Sequence, residues 1–219
     1  EYRTVYSGEI KTLNDLKTSE TNEFAVAANL VDGLIEYDEY GVVKPGLATE
    51  WSHNDDATVW TFKLRKDAEW VTHEGKKYAD VVAQDFVDGL NYVLDGKNES
   101  STAWIAAVVK NGDAFLNGEV TDFSQVGIKA LDEHTLEYTL ENSTPYFLSM
   151  LNYVCFFPVN GEFLAEKGTD FGTTRENFLY NGAYILDKFE PRKERVLVKN
   201  DTYWDKDNVL IDRIRARYN

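Results

Sequence analysis

The sequence predicts a mixed α/β (α+β) fold, in which helices and strands are interleaved without a regular strand–helix–strand rhythm. Three observations predict it. Apolar residues recur at every second position in some segments, as in half-buried strands, and at intervals of three and four in others, as in amphipathic helices. The third observation is size, because 219 residues that are 43% apolar can bury a core without disulfides or metal ions.

The first half of the chain predicts two strands and two helices. A short strand is expected at Thr4–Tyr6 and a helix over Asn22–Ile35, where apolar residues are three and four apart. Strict alternation over Val59–Leu64 indicates the clearest strand of the chain. Helical spacing returns over Val82–Leu94.

The second half continues with a helix over Ala103–Asn117 and a hairpin over Gly127–Leu140. A further helix is expected to start at Thr144-Pro145, with Thr144 as its N-cap and Pro145 in the first turn, where no N–H is needed.

The last part of the chain predicts three more strands. Tyr184 and Leu186 are expected to pair with Val196 and Val198 across a turn, and the alternation over Ile211–Asn219 indicates a strand that runs to the last residue. A strand at the very end predicts that the sequence is a piece of a longer chain.

Charge and residue usage narrow the classes of function. The chain has 23 Lys and Arg against 38 Asp and Glu, a net charge of −15, so nucleic acid is not expected as a partner. Cys155 lies in an apolar run and is expected to be a buried hydrophobe. The same is expected of the five tryptophans, and no apolar stretch is long enough to span a membrane.

The residues do not indicate catalysis. The histidines His53, His73 and His134 lie far apart, without the cysteine or carboxylate spacing of a metal site. Nucleophile-elbow, dinucleotide-binding and phosphate-loop motifs are lacking. We therefore expect no catalytic residue, no metal and no cofactor, and the residue chemistry favours a binding or structural domain over an enzyme.

A series of short segments resembles the extracellular solute-binding proteins that serve oligopeptide ABC transporters. The resemblance lies in the order and spacing of the segments from Leu13 to Tyr218. They read LVDGL at 30–34, PGLATEW at 45–51, WTFKLRK at 60–66, AQDFV at 83–87, GIKAL at 127–131, TLEYTL at 135–140, PYF at 145–147, NGAY at 181–184 and KNDTYW at 199–204. The VVAQDF wording at 81–86 resembles Gram-positive, streptococcus-like peptide-binding lipoproteins in particular.

The resemblance implies a lobe of the periplasmic-binding-protein-like type II fold that carries an inserted extra domain and is truncated before the second lobe. Residues 1–31 and 160–219 would form the discontinuous, incomplete core of the first lobe. Residues 32–159 would form the inserted domain.

The resemblance also implies the function. Such proteins capture extended oligopeptides between two lobes and deliver them to ABC transporter permease subunits, either as lipoproteins on the extracellular face of the membrane or in the periplasm. A lipid anchor would lie outside this sequence. Ser19, Glu20 and Thr21 align with a stretch that contacts the ligand backbone, and Thr102 with a pocket residue. Because the second lobe would supply the charge partner of the peptide, this chain alone is expected to bind weakly.

Other hypotheses about the function remain open at this point. One is an acidic surface module that contacts another protein. Another is the same fold with a nickel chelate, haem or a sugar as its ligand, and a hydrolase is a poorer third.

Overall fold

A computed structural model describes all 219 residues and contains two four-stranded sheets, two small two-stranded sheets and short helices. The strands are β1 (Tyr2–Tyr6), β2 (Ile35–Tyr37), β3 (Val43–Pro45), β4 (Ala48–His53), β5 (Val59–Leu64), β6 (Glu69–Val71), β7 (Lys77–Asp80), β8 (Ile128–Asp132), β9 (Thr135–Thr139), β10 (Tyr184–Glu190), β11 (Glu194–Lys199) and β12 (Arg213–Tyr218). The α-helices are α1 (Thr21–Leu30), α2 (Ala83–Leu94), α3 (Ala103–Ala106), α4 (Gly112–Leu116), α5 (Phe147–Met150) and α6 (Gly161–Lys167). No helix is long and apolar enough to cross a membrane.

The first sheet joins the two ends of the chain in the order β1-β12-β11-β10. β1 pairs in parallel with β12, so that Tyr2 lies opposite Ile214, and β11 is antiparallel to both of its neighbours. The strands expected at Thr4–Tyr6 and near the end of the chain are confirmed. Leu197 on this sheet faces α1, which packs against β10.

The second large sheet has the order β4-β5-β9-β8 and is antiparallel throughout. The predicted strand at Val59–Leu64 and the predicted hairpin are both confirmed. Trp60 and Phe62 on β5 and Tyr138 on β9 are buried, and the Tyr138 ring lies 5.2 Å from the ring of Phe147, centroid to centroid. This aromatic layer is part of one continuous hydrophobic core.

Helix α2 covers this sheet by packing against β8, as its apolar spacing predicts. Its first turn is fixed by Asp85, whose Oδ2 accepts hydrogen bonds from the Trp70 Nε1–H at 2.8 Å and the Val82 backbone N–H at 2.9 Å. One buried carboxyl therefore caps the helix and satisfies the indole of a fully buried tryptophan.

Helix α1 ends at Leu30 and does not reach Ile35 as the sequence predicts. The Leu30 carbonyl accepts N–H hydrogen bonds from Asn181 at 3.2 Å and Gly182 at 2.9 Å, and the Asn181 Oδ1 accepts one from the Asp32 N–H at 2.8 Å. These distant partners replace the next helical turn, and Ile35 becomes the start of β2. Tertiary hydrogen bonds here override a helical pattern.

The helix predicted over Ala103–Asn117 is also wrong, because it is divided into α3 and α4. Between them, the Lys110 N–H donates to the Thr139 carbonyl at 2.9 Å, and the Lys110 carbonyl accepts from the Gly127 N–H at 2.9 Å. Asn111 then takes a positive φ of 57°. The backbone at Lys110 is thus paired with the sheet and cannot continue a helix.

Two smaller predictions are wrong, one in where a helix begins and one in which residues pair across a hairpin. The helix near Thr144 begins at Phe147, because the Thr144 hydroxyl donates to the Asn142 carbonyl at 2.9 Å and does not cap the helix. The hairpin of β10 and β11 exists, but an irregularity after Leu186 pairs that residue with Leu197, and not with either predicted valine, Val196 or Val198. Bulges of this kind shift the alternation by one residue.

We expect Gly182→Ala to destabilise the fold strongly. An added Cβ would lie 2.7 Å from the Leu30 carbonyl carbon and 2.9 Å from the Val31 nitrogen, so backbone would have to move. The expected loss in the free energy of unfolding is about 1–3 kcal/mol, measured by urea denaturation. Gly8→Ala is the control, because its nearest neighbour at 3.3 Å is the flexible Asn22 side chain. Equal stability of the two variants would contradict this role of Gly182.

Candidate functional site

The segment Thr18–Glu20, just before α1, contains one residue, Ser19, whose backbone groups are unpaired. The Glu20 N–H donates to the Thr18 Oγ1 at 3.0 Å, and the Glu20 carbonyl accepts from the N–H groups of Glu23 and Phe24 at 3.0 Å each. Between these anchored residues, the N–H and C=O groups of Ser19 have no partner within the protein. Ser19, Glu20 and Thr21 are all exposed. An exposed residue whose backbone N–H and C=O are both unpaired can form hydrogen bonds with an added extended chain.

The residues before this segment hold it firmly. The Leu13 N–H donates to the Gly172 carbonyl at 2.8 Å. The Asn14 Nδ2 donates to the Tyr92 hydroxyl at 2.8 Å, and the Leu16 side chain is fully buried. The unpaired backbone at Ser19 therefore follows an anchored stretch of chain, which lowers the entropy lost when a ligand binds.

A second stretch, Ser100–Thr102, lies beside the first. The Ser101 N–H donates to the Lys17 carbonyl at 3.0 Å, and the Ser100 Oγ donates to the Leu16 carbonyl at 2.6 Å. The structure thus joins the two chain stretches that carry the four residues singled out by sequence, although they are about 80 positions apart.

The four side chains do not share one surface. Thr102 is buried, and its Oγ1 has no hydrogen-bond partner, whereas Ser19, Glu20 and Thr21 face solvent. Helix α3, which follows Thr102, packs against the buried Val154–Phe156 turn that contains Cys155. In this conformation Thr102 is a core residue, and its ligand contact stays a prediction.

Trp104 is an aromatic residue that sequence reasoning placed in the core, and this was wrong because its side chain is 74% exposed. Ala103 and Ala106 are the buried positions of α3, and they are three residues apart. That spacing directs Trp104 away from the core, and it is the feature of the sequence that could have predicted its exposure.

Electrostatic interactions on the exposed part of this site are weak. Glu20 is 3.8 Å from the Lys11 ammonium, and both side chains are largely in solvent, so the pair contributes little. Asp15, by contrast, is buried within the anchored stretch, and its Oδ2 has no partner. Burial raises the pKa of Asp15 to about 7.

Nothing in the geometry points to metal binding or nucleophilic catalysis. No three His, Cys, Asp or Glu side chains come together in an arrangement that could hold a metal ion. Burial raises the pKa of the Cys155 thiol to about 12, and the residue is inaccessible, so the thiol is held protonated.

Comparison with known proteins confirms the resemblance. The model of the bacterial extracellular solute-binding proteins, family 5 (middle part), matches residues 42–219. The oligopeptide-binding protein AliA of Streptococcus pneumoniae is 42% identical over 216 residues, which are 98% of this chain and 33% of AliA. The chain therefore spans about a third of the length of such curated relatives.

Solved structures confirm the expected fold class. The substrate-binding domain of an oligopeptide ABC transporter from Bacillus anthracis superimposes with a TM-score of 0.92 at 34% identity, over 99% of this chain and 40% of that one. The peptide-bound OppA of Listeria monocytogenes gives 0.92 at 31% identity, over 100% of this chain and 42% of that one.

We expect the buried carboxyl of Asp15 to make stability depend on pH. An unfolded Asp15 releases its proton near its ordinary pKa of about 4, whereas the folded protein retains it up to about 7. Its contribution to stability is therefore complete below about pH 4 and is lost as the pH rises through 7.

Asp15→Asn should raise the free energy of unfolding at pH 8 by on the order of 1–3 kcal/mol, and the gain should shrink at pH 5. Urea denaturation at both values measures this. Asp55→Asn, at an exposed position, is the control. A gain that is the same at both pH values would contradict the assignment.

Proposed function

Because the chain belongs to family 5 of the bacterial extracellular solute-binding proteins, we propose that it is part of the binding component of a peptide ABC importer and is not an enzyme. The complete protein captures extended oligopeptides between two lobes and releases them to permease subunits. The proposal draws support from the relative named an oligopeptide-binding protein and from the neighbour solved with a bound peptide.

The observation that carries the proposal is the unpaired backbone of Ser19. An extended peptide that adds beside it gains main-chain hydrogen bonds, which are the same for every sequence. Side chains of the peptide then alternate toward and away from the protein. Binding of this kind suits an importer that accepts many peptides, and Glu20 and Thr21 extend the same exposed stretch.

The lobe division completes the proposal. Residues 1–31 and 160–219 form the core of one lobe, which contains the β1-β12-β11-β10 sheet, and residues 32–159 form an inserted domain, which contains the β4-β5-β9-β8 sheet. The second lobe and the charge partner of the peptide lie outside this sequence. Hinge closure of the two lobes buries the ligand and marks the loaded form for the permease.

Partners and location follow from the same role. The protein acts outside the cytoplasmic membrane, either anchored by a lipid in a Gram-positive cell or free in a periplasm. We expect no nucleic-acid partner, because the net charge of −15 of this sequence opposes binding of a polyanion.

We expect the 219-residue chain to bind oligopeptides only weakly, since half of the cleft is supplied by the second lobe. Calorimetry with an unmodified hexapeptide should give a dissociation constant above about 100 μM. The same hexapeptide methylated at its backbone nitrogens should bind more weakly still, because methylation removes the donors of strand addition. Micromolar affinity of the chain alone, or indifference to methylation, would overturn the expectation.

The backbone role of Ser19 can be tested by a matched pair of variants. Ser19→Pro removes the N–H group and should weaken peptide binding about two- to tenfold, the value of one main-chain hydrogen bond. Ser19→Ala keeps that group and should stay within about twofold of the unaltered chain. Amide chemical shifts followed during a peptide titration measure both. Equal affinities of the two variants would show that the Ser19 N–H is not used.

A further inference from the structure

A polar, solvent-open cavity of about 550 Å³ has Lys17 among its lining residues, but not Ser19. Three parts of the chain enclose it: the anchored stretch before α1, the end of α2 with the turn after it, and the loop that follows α6. We call it the lysine cavity, because Lys17 and Lys97 line it. Its volume is in the range of sites for small organic ligands.

The charges of the lysine cavity are unbalanced. None of its 11 lining residues is acidic, and neither the Lys17 nor the Lys97 ammonium group lies within 4.0 Å of a carboxylate. The nearby acidic side chains Asp88 and Asp95 line the adjoining recess. In a protein of net charge −15, a concave surface that holds two unpaired ammonium groups and no carboxylate stands out. Such a recess attracts and concentrates small anions.

The neutral groups of the cavity add a further donor. The Tyr92 hydroxyl accepts a hydrogen bond from the Asn14 Nδ2 at 2.8 Å, so its own hydrogen is free to donate. Thr169 adds a second hydroxyl, and Leu164 and Phe171 form an apolar side. The wall thus offers ammonium and hydroxyl donors beside an apolar surface, which matches an anion that carries a short hydroxylated carbon chain or ring.

We propose that the lysine cavity binds a small hydroxylated organic anion, with its phosphate or carboxylate group between Lys17 and Lys97. The ammonium groups supply the charge, and the Tyr92 hydroxyl donates to the anion or to a neighbouring ligand oxygen. The inference is independent of peptide capture, because it uses side chains of the cavity and not the Ser19 backbone.

The test measures binding of three probes to the 219-residue chain by calorimetry and amide shifts. Glucose 6-phosphate represents the phosphate class, gluconate represents the carboxylate class, and glucose is the neutral control. We expect saturable binding of at least one anion below about 10 mM and none of glucose, with shifts centred on Lys17 and Lys97. Which anion binds more tightly distinguishes the two classes.

Matched variants locate the site. Lys17→Gln and Lys97→Gln should each weaken anion binding about fivefold, because each removes one charge-assisted contact. Both side chains are exposed, so the fold should be retained. Lys66→Gln, at an exposed lysine outside the cavity, should leave the affinity unchanged. Absence of saturable anion binding, equal binding of glucose, or affinity that survives both cavity variants would overturn the proposal.

Discussion

The fold depends on the hydrogen bonds that the Leu30 carbonyl accepts. At the end of α1 this group accepts hydrogen bonds from both Asn181 and Gly182, which lie about 150 positions further along the chain. Gly182 approaches so closely that a Cβ would meet the backbone of Leu30. The contact ends the helix and fixes α1 against the residues that lead into β10. It ties the first thirty residues to the sheet formed by the chain ends.

The position of the candidate site follows from that tie. With its last residue fixed, α1 carries Thr21 at its first turn, and the stretch before it is held by Gly172 on one side and Ser101 on the other. The backbone N–H and C=O groups of Ser19 are left without hydrogen-bond partners, between neighbours that are held in place. A ligand that pairs there meets a surface that is already ordered, so binding loses little conformational entropy.

Local patterns predicted the elements that local forces decide. The strand at Val59–Leu64 and the helix α2 were predictable, because alternation and helical spacing agree with their burial. The end of α1 and the break at Lys110 were not, because partners such as Gly182 and Thr139 decide them through hydrogen bonds across the fold.

The site was predictable only in part. Resemblance directed attention to Ser19, Glu20 and Thr21, whose exposure suits ligand contact, and to Thr102, which is buried. No residue pattern signals an unpaired backbone group, since that depends on what the rest of the chain leaves uncovered. The lysine cavity is beyond sequence reasoning for the same reason, because its lysines are 80 positions apart and its acid-free lining arises from packing.

Amide hydrogen exchange at Ser19 reports whether a bound peptide pairs with the backbone of this residue. In the free chain this exposed N–H has no partner and should exchange rapidly. With an oligopeptide at saturating concentration, exchange at Ser19 should slow at least about fivefold, while amides in the β4-β5-β9-β8 sheet keep their rates. Unchanged exchange at Ser19, with protection appearing along an edge strand such as β1, would contradict this pairing.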